Sequence, residues 1–179
     1  MKALIQIAVA AWFALPAGAD ARQPDVPFEP TPAEVVDAML KLADVRAGDV
    51  VYDLGCGDGR IVVRAAQQGA RGVGIDIDPV RIQESRARAR AAHVDDRIEF
   101  REGDLFEADV SPASVVTLFL WPKVNLQLRP KLQSQLRPGS RVVSYMHDMG
   151  DWAPERTIAV AGGRKVYLWI IPERGAKAR

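Results

Sequence analysis

The residues with the most chemical capacity in this sequence are consecutive: Asp53-Leu54-Gly55-Cys56-Gly57-Asp58-Gly59-Arg60. Three glycines at alternate positions follow a strand-like run, 50–54, and lead into a helix-compatible run, 61–68. A strand, a tight glycine turn and a helix start let backbone approach a ligand closely, because glycine turns without a Cβ in the way. An ordinary turn needs one or two glycines rather than three in alternation. A dinucleotide-binding turn would place its third glycine at position 60, where Arg60 stands. Asp76 ends a second apolar run, about 20 residues past the first glycine, where open α/β folds set a carboxylate against ribose hydroxyls. Asp104 ends a third run and can accept the exocyclic amine of an adenine, with Leu105 and Phe106 as apolar packing.

These groups need a frame to converge, and the chain supplies one in alternation. Strand signals cover residues 49–54, 72–77, 97–102, 114–120, 141–146, 156–160 and 166–171. The run 97–102 alternates with period two and belongs near a sheet edge, whereas 114–120 is a continuous, mainly apolar run and belongs at the centre. Helix signals cover 32–43, 60–68 and 80–93, and a fourth helix begins near Asn125 with an interruption expected at Pro130. Thr31 is expected to cap the first helix, with Pro32 at its first position and Glu34 completing a capping box. Asp78 is expected to cap the third. The apolar face of the first helix would cover the sheet edge, and Phe28 to Thr31 would also close over the ligand. The order predicts an α/β fold: a doubly wound, Rossmann-like, mostly parallel seven-stranded sheet with an antiparallel last strand and helices on both faces.

Trp121-Pro122 ends the central strand at the carboxyl edge, where ligands of such sheets bind. Trp121, Asn125, Tyr145, His147 and Trp152 fall near the expected substrate mouth. There His147 could accept a proton and a tryptophan face could attract a cation.

Composition narrows the class. The 179 residues are ordinary in apolar and charged content and suit one domain, 30–172, followed by a basic tail, 173–179. A net charge of +1 gives no concentrated basic footprint for nucleic acid. The single cysteine, Cys56, excludes an internal disulfide and a multi-cysteine metal site, and no metal is expected. At the other end, Lys2, an apolar run over 3–15 and small residues over 16–21 form the pattern of a secretory signal peptide. Residues 1–21 are therefore expected to direct export to the periplasm or to associate with a membrane, and a linker, 22–29, follows. A true start downstream would instead leave the protein cytoplasmic.

The turn at 53–60, Gly74-Ile75-Asp76-Ile77-Asp78-Pro79 and Gly103-Asp104-Leu105-Phe106 together resemble class I S-adenosylmethionine-dependent methyltransferases, over residues 28–171. Pro30-Thr31-Pro32, Gly55 to Arg60, Leu128-Arg129-Pro130-Lys131 and Asp151-Trp152 are similar to a narrower group. Those are the lysine methyltransferases of the ATP synthase c subunit and their bacterial relatives, which often carry an N-terminal targeting segment. The resemblance implies S-adenosyl-L-methionine as cofactor, Gly55, Gly57, Gly59 and Thr31 against it, Asp53 near its methionyl end, Asp76 on its ribose, and Asp104 with Leu105 at its adenine. It implies a protein lysine as acceptor; Trp121, Asn125 and His147, by their place near the substrate mouth, are the catalytic candidates. Many amino-methylating enzymes carry Asn or Asp, two prolines and an aromatic after the fourth strand. This chain has Leu120-Trp121-Pro122-Lys123 there. A small-molecule acceptor, or a binding module that keeps the cofactor fold without transfer, are the alternatives.

Overall fold

The computed structural model describes residues 27–173, so the expected targeting segment, most of the linker and nearly all of the basic tail lie outside the described residues. In chain order the elements are α1 (Ala33–Leu42), β1 (Val50–Leu54), α2 (Arg60–Gln67), β2 (Arg71–Asp76), α3 (Pro79–Ala91), β3 (Ile98–Glu102), β4 (Val115–Leu118), α4 (Pro122–Gln135), β5 (Arg141–Tyr145), β6 (Arg156–Ala159) and β7 (Lys165–Ile170). The strands form one sheet in the order β3-β2-β1-β4-β5-β7-β6. β7 is antiparallel to both neighbours, and the pairings from β3 through β5 are parallel. The expected architecture is present, with β3 at one edge and β4 inside.

Alternation along the strands sends side chains to two layers. Tyr52, Leu54, Val116, Leu118 and Val142 face α4, packing with Val124, Leu128 and Leu132. Val51, Val115 and Val143 face the opposite way, onto Val35, Val36 and Met39 of α1 and Ile61 and Ala65 of α2. A third cluster joins Val62 and Val63 of α2 to Ile82 and Ala89 of α3 and Phe100 of β3.

Two local expectations are corrected. Pro32, not Thr31, occupies the N-cap of α1, with no side-chain capping bond, so the predicted capping box does not form. Thr31 is instead buried, and its carbonyl accepts a 2.8 Å hydrogen bond from Arg60 Nη1. Helix α4 also runs unbroken through Pro130. An interior proline costs about 3 kcal/mol, but Val124, Leu128 and Leu132 are buried beneath the helix, each worth roughly 1.5–3 kcal/mol. Pro130 lies on the exposed side, so water can reach the unpaired carbonyl of the preceding turn. The expected N-cap at Asp78 forms, its Oδ1 accepting from Val80 N at 2.8 Å.

The close seating of α2 on the sheet depends on the absence of a side chain at Gly72. A Cβ there would stand 2.2 Å from Val62 Cγ2, a fully buried methyl on the facing helix. Gly72→Ala is therefore expected to destabilise the fold by about 1–3 kcal/mol, the usual range for overpacking, measured as a drop in the urea midpoint.

Candidate active site

The site is an elbow and what surrounds it. β1 delivers the chain into three glycines in left-handed backbone, Gly55 (φ 75°), Gly57 (φ 53°) and Gly59 (φ 75°), a region disfavoured for L side chains. The amides of Gly55 and Cys56 both donate to the Ile75 carbonyl at 2.9 Å, fastening the turn to β2. Asp76 fastens it again: Oδ2 accepts from Gly57 N at 2.8 Å and Oδ1 from Asp78 N at 3.0 Å. Each carboxylate oxygen keeps a further acceptor direction, so these bonds leave capacity for a ligand hydroxyl.

A cavity of about 400 Å³ opens at the carboxyl ends of the central strands. Asp53, Gly55, Cys56 and Asp58 come from β1 and the elbow, and Asp76, Ile77 and Asp78 from the end of β2. Gly103, Asp104 and Leu105 follow β3, while Phe119, Leu120 and Val124 follow β4. Pro27, Phe28, Glu29 and Thr31 close the remaining side, so the segment before α1 is a cavity wall. It is held by the Arg60 bond to Thr31 and by Arg81, whose guanidinium carbon lies 4.5 Å from the Phe28 ring centroid.

The polar wall has an internal order. Asp53 is fully buried: Oδ1 accepts from Thr117 Oγ1 at 2.6 Å, and Oδ2 has no hydrogen-bond partner among the described residues. Burial, and then the neighbouring Asp76 and Asp58 charges, push its carboxyl up to about 7 against the opposing Thr117 hydrogen bond. Asp58 goes the other way. Burial pulls it upward, but hydrogen bonds from Arg60 and the charges of Arg88 and Arg60 outweigh this and hold it below the usual carboxylate range. Its Oδ2 accepts from both guanidinium groups at 2.6 Å. One wall thus carries an ionised, cation-paired carboxylate and a second, dry one with an open oxygen.

Of the residues singled out in the sequence, Thr31, Asp53, Gly55, Asp76, Asp104 and Leu105 line the cavity. Gly57 and Gly59 do not. A Cβ at Gly57 would stand 2.3 Å from Phe28 Cε2, and one at Gly59 2.7 Å from Ser85 Cβ, so these two glycines make room for protein. Asn125 is also absent from the wall. It is fully buried, and its Nδ2 donates to Ser144 Oγ and to the His147 carbonyl, both at 3.2 Å, pinning the turn after β5. His147 is half-buried beside that turn, and Trp121 is 55% exposed at the start of α4. Neither is among the residues that line the cavity. Thr117, Asp58, Arg60 and Arg81 were missed. The signal for Thr117 was a lone hydroxyl in an otherwise apolar strand, opposite Asp53 in the parallel register.

Residues 53–156 match the family described as the ANTKMT methyltransferase domain. The protein-lysine N-methyltransferase of Saccharolobus islandicus is 44% identical over 155 residues, 84% of this chain and 96% of its own. The chain belongs to this methyltransferase family. The Mus musculus lysine N-methyltransferase named for the ATP synthase c subunit is 35% identical over 150 residues, 84% of this chain, and the match spans 59% of that protein's length. A Salinibacter ruber protein, described as an RNA methyltransferase and solved with S-adenosyl-L-homocysteine, is 58% identical with a TM-score of 0.81. That comparison covers 84% of this chain and 98% of the other. The protein is an S-adenosyl-L-methionine-dependent methyltransferase. Its cavity fits the cofactor: the open, buried Asp53 oxygen suits an ammonium, and Leu105, Ile77 and Phe28 offer apolar surface to a base.

The dry carboxylate has a consequence for stability. An unfolded chain releases this proton near 3.8, whereas the folded protein keeps it to about 7. Between those values the folded state binds more protons, so stability falls as pH rises and levels above the upper value. Asp53→Asn is expected to remove that fall, on the order of 4 kcal/mol, in urea denaturation of the ligand-free protein from pH 4 to 8.

Proposed function

We propose that this methyltransferase modifies a lysine side chain of a protein. The observation that carries the reading is the charge of the cavity. Its walls bring together Glu29, Asp53, Asp58, Asp76, Asp78 and Asp104, against Arg60 and Arg81 alone. Both arginines are engaged, Arg60 with Asp58 and Arg81 with Glu84. Such a site favours cationic groups and repels a phosphodiester backbone. The 44% identical protein-lysine N-methyltransferase supports the same acceptor.

In this reading Asp53 Oδ2 receives the cofactor's ammonium, Asp76 its ribose hydroxyls, and Asp104 with Leu105 its adenine. The cofactor supplies a methyl group already activated on a sulfonium, so the chemistry asks the protein chiefly for alignment, which can be worth several kcal/mol. The acceptor amine must arrive neutral, against an ordinary pKa of about 10.4. Phe119, Leu120 and Val124 form an apolar wall beside the cavity. Desolvation against that wall favours the neutral amine, and the proton leaves to solvent before the lone pair is used. Asn125 and His147 contribute by holding the turn after β5.

An RNA acceptor is the second reading, favoured by the description of the Salinibacter ruber relative and by Arg81, Arg86, Arg88 and Arg90 along α3. Methyl-labelled donor incubated with the protein and a cell lysate separates the two. Acid hydrolysis of labelled protein is expected to yield methyl-lysine, and label recovered in RNA would overturn the proposal. Asp76→Ala is expected to weaken S-adenosylhomocysteine binding more than tenfold, about 1.4 kcal/mol, by calorimetry. Unchanged affinity in a folded variant would remove Asp76 from the site.

A further inference from the structure

We propose that Thr117 is a positioning residue for the cofactor: its hydroxyl clamps one oxygen of Asp53 and presents the other, ionised, to a cation in the cavity. The inference rests on the reading above that Asp53 receives the cofactor's ammonium. Three features of the geometry carry it. Thr117 and Asp53 are register partners on the parallel strands β4 and β1, so their side chains share one face of the sheet. Both are essentially without solvent, and the 2.6 Å bond from Thr117 Oγ1 is the one hydrogen bond to the Asp53 carboxylate among the described residues. Asp53 lines the cavity and Thr117 does not, so the threonine acts on a ligand only through the carboxylate.

The surroundings make that single bond consequential. The charged groups acting on Asp53 are Asp58 in the elbow and Asp76 at the end of β2, and both oppose its ionisation. Cys56 lies beside it with a thiol that burial, and then Asp53 itself, push upward, so it stays neutral and adds no charge of either sign. The guanidinium groups of Arg60 and Arg88 are both bound to Asp58. Nothing cationic among these residues touches Asp53. Two influences therefore stand on the side of the anion: the Thr117 hydroxyl, always present, and a cation entering the cavity. Hydrogen bonds to a charged acceptor are stronger than neutral ones. The hydroxyl lowers the work that the incoming ammonium must do to strip the Asp53 proton, and it fixes which oxygen faces the ammonium. Below pH 7, cofactor binding then displaces one proton from Asp53 to buffer.

Thr117→Val keeps the shape of the side chain and removes the donor, while Thr117→Ser keeps the donor. S-adenosylhomocysteine titrations of the full chain from pH 5.5 to 8.5, in buffers of different ionisation enthalpy, read both affinity and proton release. The wild type is expected to lose affinity as pH falls through about 7, releasing close to one proton on binding in the acid range. In Thr117→Val the acid limb should move upward by about one pH unit or more, weakening binding at pH 7 about fivefold or more and about tenfold further into the acid range, with affinity recovering at high pH. Thr117→Ser should restore the wild-type limb. An unshifted limb in Thr117→Val, with the wild type still binding and releasing its proton, overturns the role of Thr117 and leaves the cofactor site standing. A wild type that binds with no proton release below pH 7 overturns the assignment of the ammonium to Asp53.

Discussion

The structure turns on one carboxylate. Asp76, at the end of β2, accepts the amides of Gly57 and Asp78 and so locks the elbow after β1 against the start of α3. Without that double bond, three left-handed glycines in alternation would have the conformational freedom that makes glycine costly to order. With it, the elbow becomes a rigid lip whose backbone, free of side chains at Gly55, forms a wall of the cavity. Gly57 and Gly59 serve the same lip by letting Phe28 and Ser85 come closer than any Cβ would allow. Steric economy and hydrogen bonding thus act on the same short stretch of chain.

The electrostatics follow from where that lip leaves its acids. Asp58 points to Arg60 and Arg88 and becomes a fixed anion that also steadies α2, α3 and, through Arg60, the segment before α1. Asp53, at the end of β1, has only a threonine. A buried carboxylate with an open oxygen is unfavourable in the empty protein and favourable once a cation reaches it. Selection for a functional site over stability is the usual origin of such a group, and here it suits a ligand that brings its own positive charge.

How much of this was legible in the sequence depended on whether a residue's role was local. The elbow was readable because alternate glycines after a strand have few other uses, and Asp76 and Asp104 because strand ends in open α/β sheets converge on one edge. The Asp78 cap was readable for the same local reason. Thr31 misled, since a threonine before a proline looks like a cap until the tertiary bond from Arg60 claims its carbonyl. Asn125 misled too: an amide near the mouth suggests catalysis, whereas the register of α4 on β5 buries it against Ser144. Pro130 was read as a break because a helix's tolerance of proline depends on packing underneath it. Thr117 could not be paired with Asp53 before the strand order was known, as the two are 64 positions apart.

The central claim is that the lip and its two strand-end acids embrace an adenosyl compound with a cationic tail. A crystal structure of the full chain with S-adenosylhomocysteine tests it most directly. The account predicts the amino-acid end of the ligand on Asp53 Oδ2 and the ribose on Asp76, with Phe28 retained as a wall. A ligand seated elsewhere, or one in this cavity with its ammonium turned away from Asp53, would contradict it.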